Sequence, residues 1–260
     1  LARAERVAVT MTGELSDLFE SRRQGVETIV TRIEGRFPDR ARYWAGAGGF
    51  TDAAGARDAP HLVGSTNFLA TAALVHERQG AALLIDFGST TADIIPLIEG
   101  PFMAGLRGVT DAERQATGEL VYTGLTRTAV MAVADRAPCG GHWVSLAREY
   151  LATMADVRRV LGHDIARVDL HATADGKGKT REESFRRLAR MLGQDFGPGT
   201  GDCAASERLL MTGAAYIRER QLASLVEGAL QVLSGVGLPP SAPVVAAGIG
   251  ASEVAEVARR

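Results

Sequence analysis

The residues with the clearest chemical potential form one short segment in which acids, hydroxyls and a glycine follow one another. The segment reads Asp86-Phe87-Gly88-Ser89-Thr90-Thr91-Ala92-Asp93. Turn amide groups and adjacent hydroxyls form a cradle that suits phosphate oxygens. Carboxylates alone would repel phosphate, but a Mg²⁺ ion between them reverses the sign of that interaction, usually through bound waters. We therefore predict phosphate binding by Gly88, Ser89, Thr90 and Thr91. We predict metal binding by Asp86 and Asp93.

Two β-prone runs must position this segment. Ala81–Asp86 is continuously apolar up to its last residue, as in a strand buried on both faces, and Ala92–Ile98 is a second such run. The first strand would deliver Asp86 to its carboxyl end, where ligands bind in open α/β sheets. Gly88 would permit the turn and a close approach of the ligand to the backbone. The alternative is a plain β-hairpin whose polar residues only satisfy a turn.

Three further acids are candidates for catalysis. Glu14 and Asp17 follow a predicted strand, Arg6–Thr12, and we expect them in the first turn of a helix over Glu14–Arg23. There they either face a cleft as base or metal ligand, or simply complement the helix dipole. Asp156 lies among apolar neighbours in a helical stretch, where an unpaired charge is costly. It is expected either to pair with Arg158 or Arg159 or to project into the site.

Two pairs of residues are candidates for ligand binding. Lys177 and Lys179, the only lysines in the chain, lie on a glycine-rich loop and either clamp a diphosphate or are merely solvated. Gly248 and Gly250 follow a predicted strand and are candidates for nucleotide contact, although Gly-x-Gly alone is a weak signal.

Zinc and stacking interactions are weaker alternatives. Cys139 and His142 have Cys-x-x-His spacing, but a structural zinc needs four ligands and no second pair lies nearby in the sequence. Four aromatic residues are assigned to packing in the core or at its rim, with stacking on an aromatic ligand as the alternative: Trp44, Trp143, Tyr122 and Tyr150.

The remaining periodicities alternate between strand and helix, which indicates an α/β protein. We predict further strands over Ala41–Ala45, Leu120–Thr123 and Val244–Ala247. We predict further helices over Gly25–Arg36, Ser65–Gln79, Val144–Leu161, Arg181–Leu192 and Ala204–Gly235, and a helix beginning near Ala251. The most plausible boundary between domains lies near Gly80, where a helix ends and the buried strand begins.

Composition narrows the classes of function. The formal net charge is −2 and the pI about 6.3, so no basic surface for nucleic acid is expected. No apolar run approaches the ~20 residues that span a bilayer, so no membrane association is expected. Two cysteines are too few for a disulfide scaffold, and the chain is expected to be cytoplasmic with reduced thiols.

The acidic hairpin segment resembles the phosphate loop of the actin/sugar-kinase/Hsp70 superfamily, especially its hydantoinase/oxoprolinase branch. Within that branch, several blocks in the same order resemble enzymes linked to tetrahydromethanopterin biosynthesis. These blocks are Val9–Asp17 with Phe19 and Gly25-Val26, Asn67–Ala72, Val121–Thr128, Ala152–Val157 and Thr173–Arg190. The resemblance covers most of the chain.

The resemblance implies a two-lobed α/β fold of the actin/sugar-kinase/Hsp70, ribonuclease H-like type. Residues 1–80 would be the remainder of the first lobe, and residues 81–260 the second lobe with the phosphate hairpin and a helical insert. The superfamily's first Asp-x-Gly-Gly loop does not occur here, so the fold is expected to be truncated in front and also behind. Val244–Ser252 resembles the superfamily's adenosine-contact turn, which leaves ATP as an open alternative.

The resemblance also implies a Mg²⁺-dependent transferase that joins a furanylmethyl diphosphate to γ-glutamyltyramine or an analogue through an ether bond. Small-molecule substrates are the expected partners, and a homo-oligomer is left open. The first alternative is an ATP-dependent kinase or amide hydrolase of the same superfamily, and the second is a non-catalytic, ligand-sensing regulator.

Overall fold

A computed structural model describes residues 4–199, 201 and 203–260 and divides the chain into two compact units. The first unit comprises residues up to Ala81 together with Leu97–Ala104. The second unit comprises Ala82–Pro96 and Gly105–Arg260. Both units mix helices and strands, which confirms the α/β class predicted from the sequence.

The first unit is a small sheet with helices around it. Its elements are β1 (Val7–Val9), α1 (Arg22–Arg36), β2 (Ala41–Trp44), a 3₁₀ turn (Gly46–Gly48), β3 (Phe50–Thr51), α2 (Ala53–Asp58), α3 (Pro60–Val63) and α4 (Asn67–Gln79). Strand β2 pairs in parallel with β1 and antiparallel with β3. The apolar face of α1 packs Val26 and Val30 against Tyr43 of β2, and all three side chains are fully buried.

The helix predicted over Glu14–Arg23 is wrong. Residues 14–20 form turns, and α1 begins only at Arg22, because the hydroxyl of Ser21 accepts a hydrogen bond from the amide of Gln24 at 3.2 Å and caps the helix there. The apolar residues that suggested the earlier helix do not form a buried face, since Leu15 and Leu18 are 53% and 86% exposed.

The second unit contains the sheet that carries the hairpin. Its elements begin with β4 (Ala82–Phe87), β5 (Ala92–Leu97), α5 (Asp111–Thr117), β6 (Leu120–Val121) and a 3₁₀ turn (Val130–Ala132). They continue with β7 (Arg136–Cys139), β8 (His142–Ser145), α6 (Met154–Val160), α7 (Arg181–Met191), α8 (Cys203–Ser234), β9 (Val244–Ala247) and α9 (Ala251–Val257). The strand order is β6-β5-β4-β9, and the β4 and β9 pair is parallel.

One core in this unit supports the sheet and another holds a helical region. Apolar residues of β4 and β5 pack with those of α8 and α9, including Phe87, Ile94 and Leu222. A second cluster joins the β7–β8 hairpin to α6, α7 and the first half of α8 through buried residues such as Met154 and Phe185. The 32-residue helix α8 contributes to both clusters and so ties the two regions together.

Only the C-terminal part of the helix predicted over Val144–Leu161 is present, as α6, and its first part is wrong. Gly140 and Gly141 both have positive φ and turn the chain between β7 and β8, so residues 142–145 extend as a strand. Helix α6 begins only after Thr153, whose capping box with Asp156 fixes the first turn.

Helix α5 was not predicted, although its sequence carries a start signal. Thr110 and Glu113 form a reciprocal capping box, and Gly118 ends the helix in the left-handed conformation.

Among the residues that the structure describes, no helix combines the length and the apolar composition that a membrane span requires.

Candidate functional site

Strand β4 delivers Asp86 to its carboxyl end, as the sequence predicts. The Asp86 carboxylate has no hydrogen-bond or ion-pair partner among the residues that the structure describes. Burial raises the pKa of this carboxyl above its usual value, and the nearby charge of Asp93 raises it further. An acid that is partly desolvated and unpartnered at a strand end is poised to take a cation or a proton.

Asp93 lies at the start of β5 and, unlike Asp86, has an ion-pair partner. Arg114 of α5 donates a 2.7 Å hydrogen bond to Asp93 Oδ1, and the side chains are 2% and 16% exposed respectively. Burial raises the pKa of Asp93, while the charge and hydrogen bond of Arg114 oppose that rise. The two acids are therefore not equivalent, and Asp86 is better suited than Asp93 to bind a metal ion.

The turn between β4 and β5 presents open hydrogen-bond donors. The amide of Gly88 donates to the carbonyl of Thr91 at 2.9 Å and closes the turn. The amides of Ser89, Thr90 and Thr91 donate to no acceptor in the described part of the chain. Successive unpaired amides flanked by hydroxyl side chains are groups that can bind an anion, and phosphate binding by this turn stays a prediction.

A segment after β6 holds the hairpin from one side. Leu125 and Arg127 donate backbone hydrogen bonds to the carbonyls of Gly88 and Ser89, at 2.9 and 3.0 Å. Gly124 lies so close to the hairpin that an added Cβ would be 2.2 Å from the backbone carbonyl oxygen of Ser89. The Arg127 side chain also reaches Thr90, with Nη1 3.2 Å from Oγ1.

The sequence analysis did not identify Arg127 as a site residue. The only signal for it was its place in the block Val121–Thr128, which was noted for its resemblance and given no chemical role.

The glycines proposed for nucleotide contact lie beside Asp86. Strand β9 pairs with β4 so that Ala247 is opposite Asp86, and the turn that follows packs onto the strand end. A Cβ at Gly248 would be 2.4 Å from Asp86 Oδ1, and Gly250 donates a 2.8 Å amide bond to the carbonyl of Phe87. Close backbone packing thus accounts for both glycines, and their contact with a nucleotide stays a prediction.

Asp156 is 1% exposed and lies at the centre of a buried network. Its carboxylate accepts hydrogen bonds from the amide of Thr153 at 3.0 Å, from Ser184 Oγ at 2.9 Å and from Arg187 Nε at 2.9 Å. Arg159 also pairs with it, at 3.4 Å, as one of the sequence alternatives has it. These contacts join α6 to α7, and they favour a structural role over that of a base.

The other predicted partner, Arg158, pairs with a different acid. It is fully buried, lies 3.6 Å from Glu253 and stands over the ring of Phe87 at 5.9 Å. Burial lowers the pKa of Arg158 to about 10 despite the charge of Glu253.

The two lysines differ in their surroundings. Lys179 Nζ donates to the carbonyl of Asp169 at 2.7 Å and lies 3.3 Å from its carboxylate. The ammonium of Lys177 has no partner among the described residues, and only its backbone is tied to the loop, where the amide donates to Asp175 at 3.1 Å. Lys177 is thus the more available of the two cations.

Glu14 and Asp17 belong to the first unit and differ from each other in burial. Glu14 is 1% exposed; its Oε1 accepts a 2.9 Å hydrogen bond from Ser65, and its Oε2 has no partner among the described residues. Ser65 adopts φ 56°, a conformation that non-glycine residues rarely take. Asp17 is exposed in a turn. Glu14 is therefore a better candidate for a catalytic acid or base than Asp17.

No group of three or more His, Cys, Asp or Glu side chains suited to a metal ion occurs within residues 4–199, 201 and 203–260. Cys139 is buried at the end of β7, and its sulfur accepts a hydrogen bond from Gln194, which gives zinc no support. Mg²⁺ commonly binds one or two carboxylates, with phosphate and water completing its shell. The unpartnered Asp86 beside open amides fits that simpler requirement.

Comparison with known proteins agrees with the resemblance noted in the sequence. The profile of the hydantoinase/oxoprolinase family matches residues 5–260. The chain belongs to the hydantoinase/oxoprolinase family. A relative from Methanocaldococcus jannaschii, named (4-{4-[2-(γ-L-glutamylamino)ethyl]phenoxymethyl}furan-2-yl)methanamine synthase, is 34% identical over 190 residues, or 73% of this chain and 57% of the relative.

A protein of the same name from Methanococcus vannielii is 31% identical over 121 residues, which is 46% of this chain and 53% of that protein. This member of the hydantoinase/oxoprolinase family thus spans a little over half the length of the curated relatives that it matches.

Proposed function

We propose that this chain belongs to an enzyme that transfers an alkyl group from a diphosphate ester to a phenol oxygen and releases diphosphate. The observation that carries the proposal is the hairpin turn, where three open amides and three hydroxyls lie beside the unpartnered Asp86. The relatives' name describes a product with a phenoxymethyl ether on a furan ring, which is the bond such a transfer forms.

The reaction balances without an oxidant or reductant. The bond between the furanylmethyl carbon and the diphosphate oxygen breaks, and diphosphate leaves with the electron pair. The furan ring can delocalise positive charge that builds on the methylene carbon. The phenol oxygen then bonds to that carbon and loses its proton to a carboxylate.

The hairpin residues would bind and orient the leaving group. The amides and hydroxyls of Ser89, Thr90 and Thr91 donate hydrogen bonds that strengthen as charge develops on the departing oxygens. Asp86 would hold Mg²⁺, which when bound supplies positive charge to neutralise the diphosphate. Asp93 has Arg114 as its partner and would act by fixing β5 and the hairpin in place.

The acids proposed for catalysis differ in whether one carboxylate oxygen is left without a partner. Glu14 has one buried carboxylate oxygen without a partner, whereas Asp156 accepts hydrogen bonds from several donors. Glu14 remains a catalytic candidate on the evidence of its own unpartnered oxygen, and Glu14→Gln tests it, with Ser65→Ala as its positioning control.

A mass-spectrometric assay tests the proposal directly. The full-length protein is incubated with Mg²⁺, γ-glutamyltyramine and 5-(aminomethyl)-3-furanmethanol diphosphate, with and without ATP. We expect an ether-linked product and free diphosphate in equal amounts, independent of ATP. Consumption of ATP without ether formation would instead support a kinase or amide hydrolase, the alternative that the family's name favours.

A further inference from the structure

A polar cavity opens in the second unit next to the segment that holds the hairpin. Its volume is about 260 Å³. Its walls include Thr126, Arg127, Tyr150, Arg159, His171 and Thr173. None of these residues was predicted as a site residue from the sequence alone. Tyr150, which the sequence analysis assigns to packing, lines this cavity and is 52% exposed.

A buried hydroxyl in the wall lacks a partner. Thr126 is 1% exposed, and its Oγ1 makes no hydrogen bond to any described residue. A buried polar group without a partner is costly. A ligand atom in the cavity that accepts a hydrogen bond from Thr126 would remove that cost.

The positive charges of the cavity are not all balanced. Arg159 is neutralised by Asp156 and by Asp169, with which it makes a close ion pair. Arg127 is exposed; among the described residues its side chain donates a hydrogen bond to the neutral hydroxyl of Thr90 and has no carboxylate partner. Burial lowers the pKa of His171, and the nearby positive charges of Arg127 and Lys179 lower it further.

Arg127 connects this cavity to the hairpin. Its backbone amide donates to the Ser89 carbonyl, its guanidinium reaches Thr90, and its side chain lines the cavity. We propose that the cavity is the subsite for the terminal phosphate of a diphosphate ligand, and that Arg127 binds this phosphate while the hairpin binds the phosphate attached to carbon. This inference rests on the proposed function and assigns the terminal phosphate to Thr126 and Arg127 in place of the lysine loop.

The test measures equilibrium binding rather than turnover. Isothermal titration calorimetry with the full-length protein compares inorganic diphosphate, orthophosphate and γ-glutamyltyramine, each with and without Mg²⁺. The variants are Arg127→Gln, Thr126→Val and, as a matched control, Arg148→Gln. Arg148 is 89% exposed and lies 3.9 Å from the similarly exposed Asp135, so it is a surface arginine that does not line the cavity.

We expect Arg127→Gln to weaken diphosphate binding by about 10- to 100-fold, since a charge-assisted, bidentate contact is lost. Thr126→Val should weaken it by about 3- to 10-fold, and Arg148→Gln should leave it within a factor of about two. Binding of γ-glutamyltyramine should be unchanged in all three variants. Diphosphate should also raise the pKa of His171 in the wild type, which NMR titration measures. This rise should be absent in Arg127→Gln.

Two outcomes would overturn the inference. In one, Arg127→Gln binds diphosphate as tightly as the wild type while thermal unfolding shows it to be folded. In the other, Arg127→Gln loses γ-glutamyltyramine and keeps diphosphate, which would make the cavity a carboxylate subsite. Because no turnover is required, Arg127-dependent binding of diphosphate by a protein that forms no ether would sink the proposed function and leave this subsite standing.

Discussion

Removing the Asp93 carboxylate should destabilise the second unit, whereas removing that of Asp86 should not. Arg114 is 2% exposed and its 2.7 Å contact with Asp93 is the ion pair that accompanies its burial. Truncating one partner of a buried ion pair costs about 3–5 kcal/mol, because the other charge stays buried. Arg114 also donates to the carbonyl of Glu119 at 3.1 Å, so we expect the lower end, about 3 kcal/mol, for Asp93→Ala.

The assay is urea denaturation read from a probe confined to that unit. The chain has two tryptophans, of which Trp143 belongs to the second unit. In a Trp44→Phe background, Trp143 fluorescence therefore reports unfolding of the unit that contains Asp93. Asp93→Ala should lower the denaturation midpoint without changing the slope, and Asp93→Asn should lower it less, since the amide oxygen still accepts a hydrogen bond.

The matched control breaks an exposed ion pair of the same unit. Asp135→Ala removes a partner of Arg148 in a pair that is nearly 90% exposed, and it should have no measurable effect. A free energy of unfolding for Asp93→Ala within about 0.5 kcal/mol of the wild type would refute the structural role assigned to Asp93. Asp93 would then return to the metal site beside Asp86.

Three further predictions concern stability and the hairpin. Asp86→Asn should raise the melting temperature at pH 7–8, because burial raises the pKa of Asp86 and ionising it therefore opposes folding. The gain should shrink as the pH falls through the folded-state pKa, and a loss of stability at neutral pH would contradict this. Asp156→Ala should cost about 3–5 kcal/mol in urea denaturation, since it leaves several buried donors unpaired; a cost below about 1 kcal/mol would return it to the catalytic candidates. Gly124→Ala should abolish diphosphate binding in calorimetry by displacing the turn at Ser89, whereas Gly35→Ala, which meets nothing within 4 Å, should bind normally; equal binding by both would show that the hairpin tolerates displacement.

Local pattern was sufficient for the hairpin and for the elements with long uniform periodicity. The apolar run before Asp86 and the glycine among hydroxyls predicted β4, the turn and β5. Val244–Ala247 forms the predicted strand, and the predicted helix Ala204–Gly235 is present as Cys203–Ser234. In each case the local sequence is enough to predict the element. A strand buried on both faces and a helix with one long apolar stripe each have a pattern that few other structures would produce.

Local pattern failed where capping or tertiary contact decides the structure. Helical spacing over Glu14–Arg23 was outweighed by the cap at Ser21, and two glycines with positive φ redirected the chain before α6. The partners that separate Asp86 from Asp93 in role could not be read from spacing, since Arg114 reaches Asp93 only through the packing of α5. Arg127 was missed for the same reason, because it meets the hairpin through a segment distant in sequence.

The measurement closest to the central claim is the stoichiometry of ether product and diphosphate for the full-length wild type and for Asp86→Asn, followed by mass spectrometry in the presence of Mg²⁺. We predict one diphosphate released for each ether formed by the wild type. The Asp86→Asn protein should bind γ-glutamyltyramine normally and lose turnover by about 100-fold or more, as expected when charge neutralisation of the leaving group is removed. Wild-type turnover by Asp86→Asn would contradict the assignment of the hairpin as the site of this chemistry.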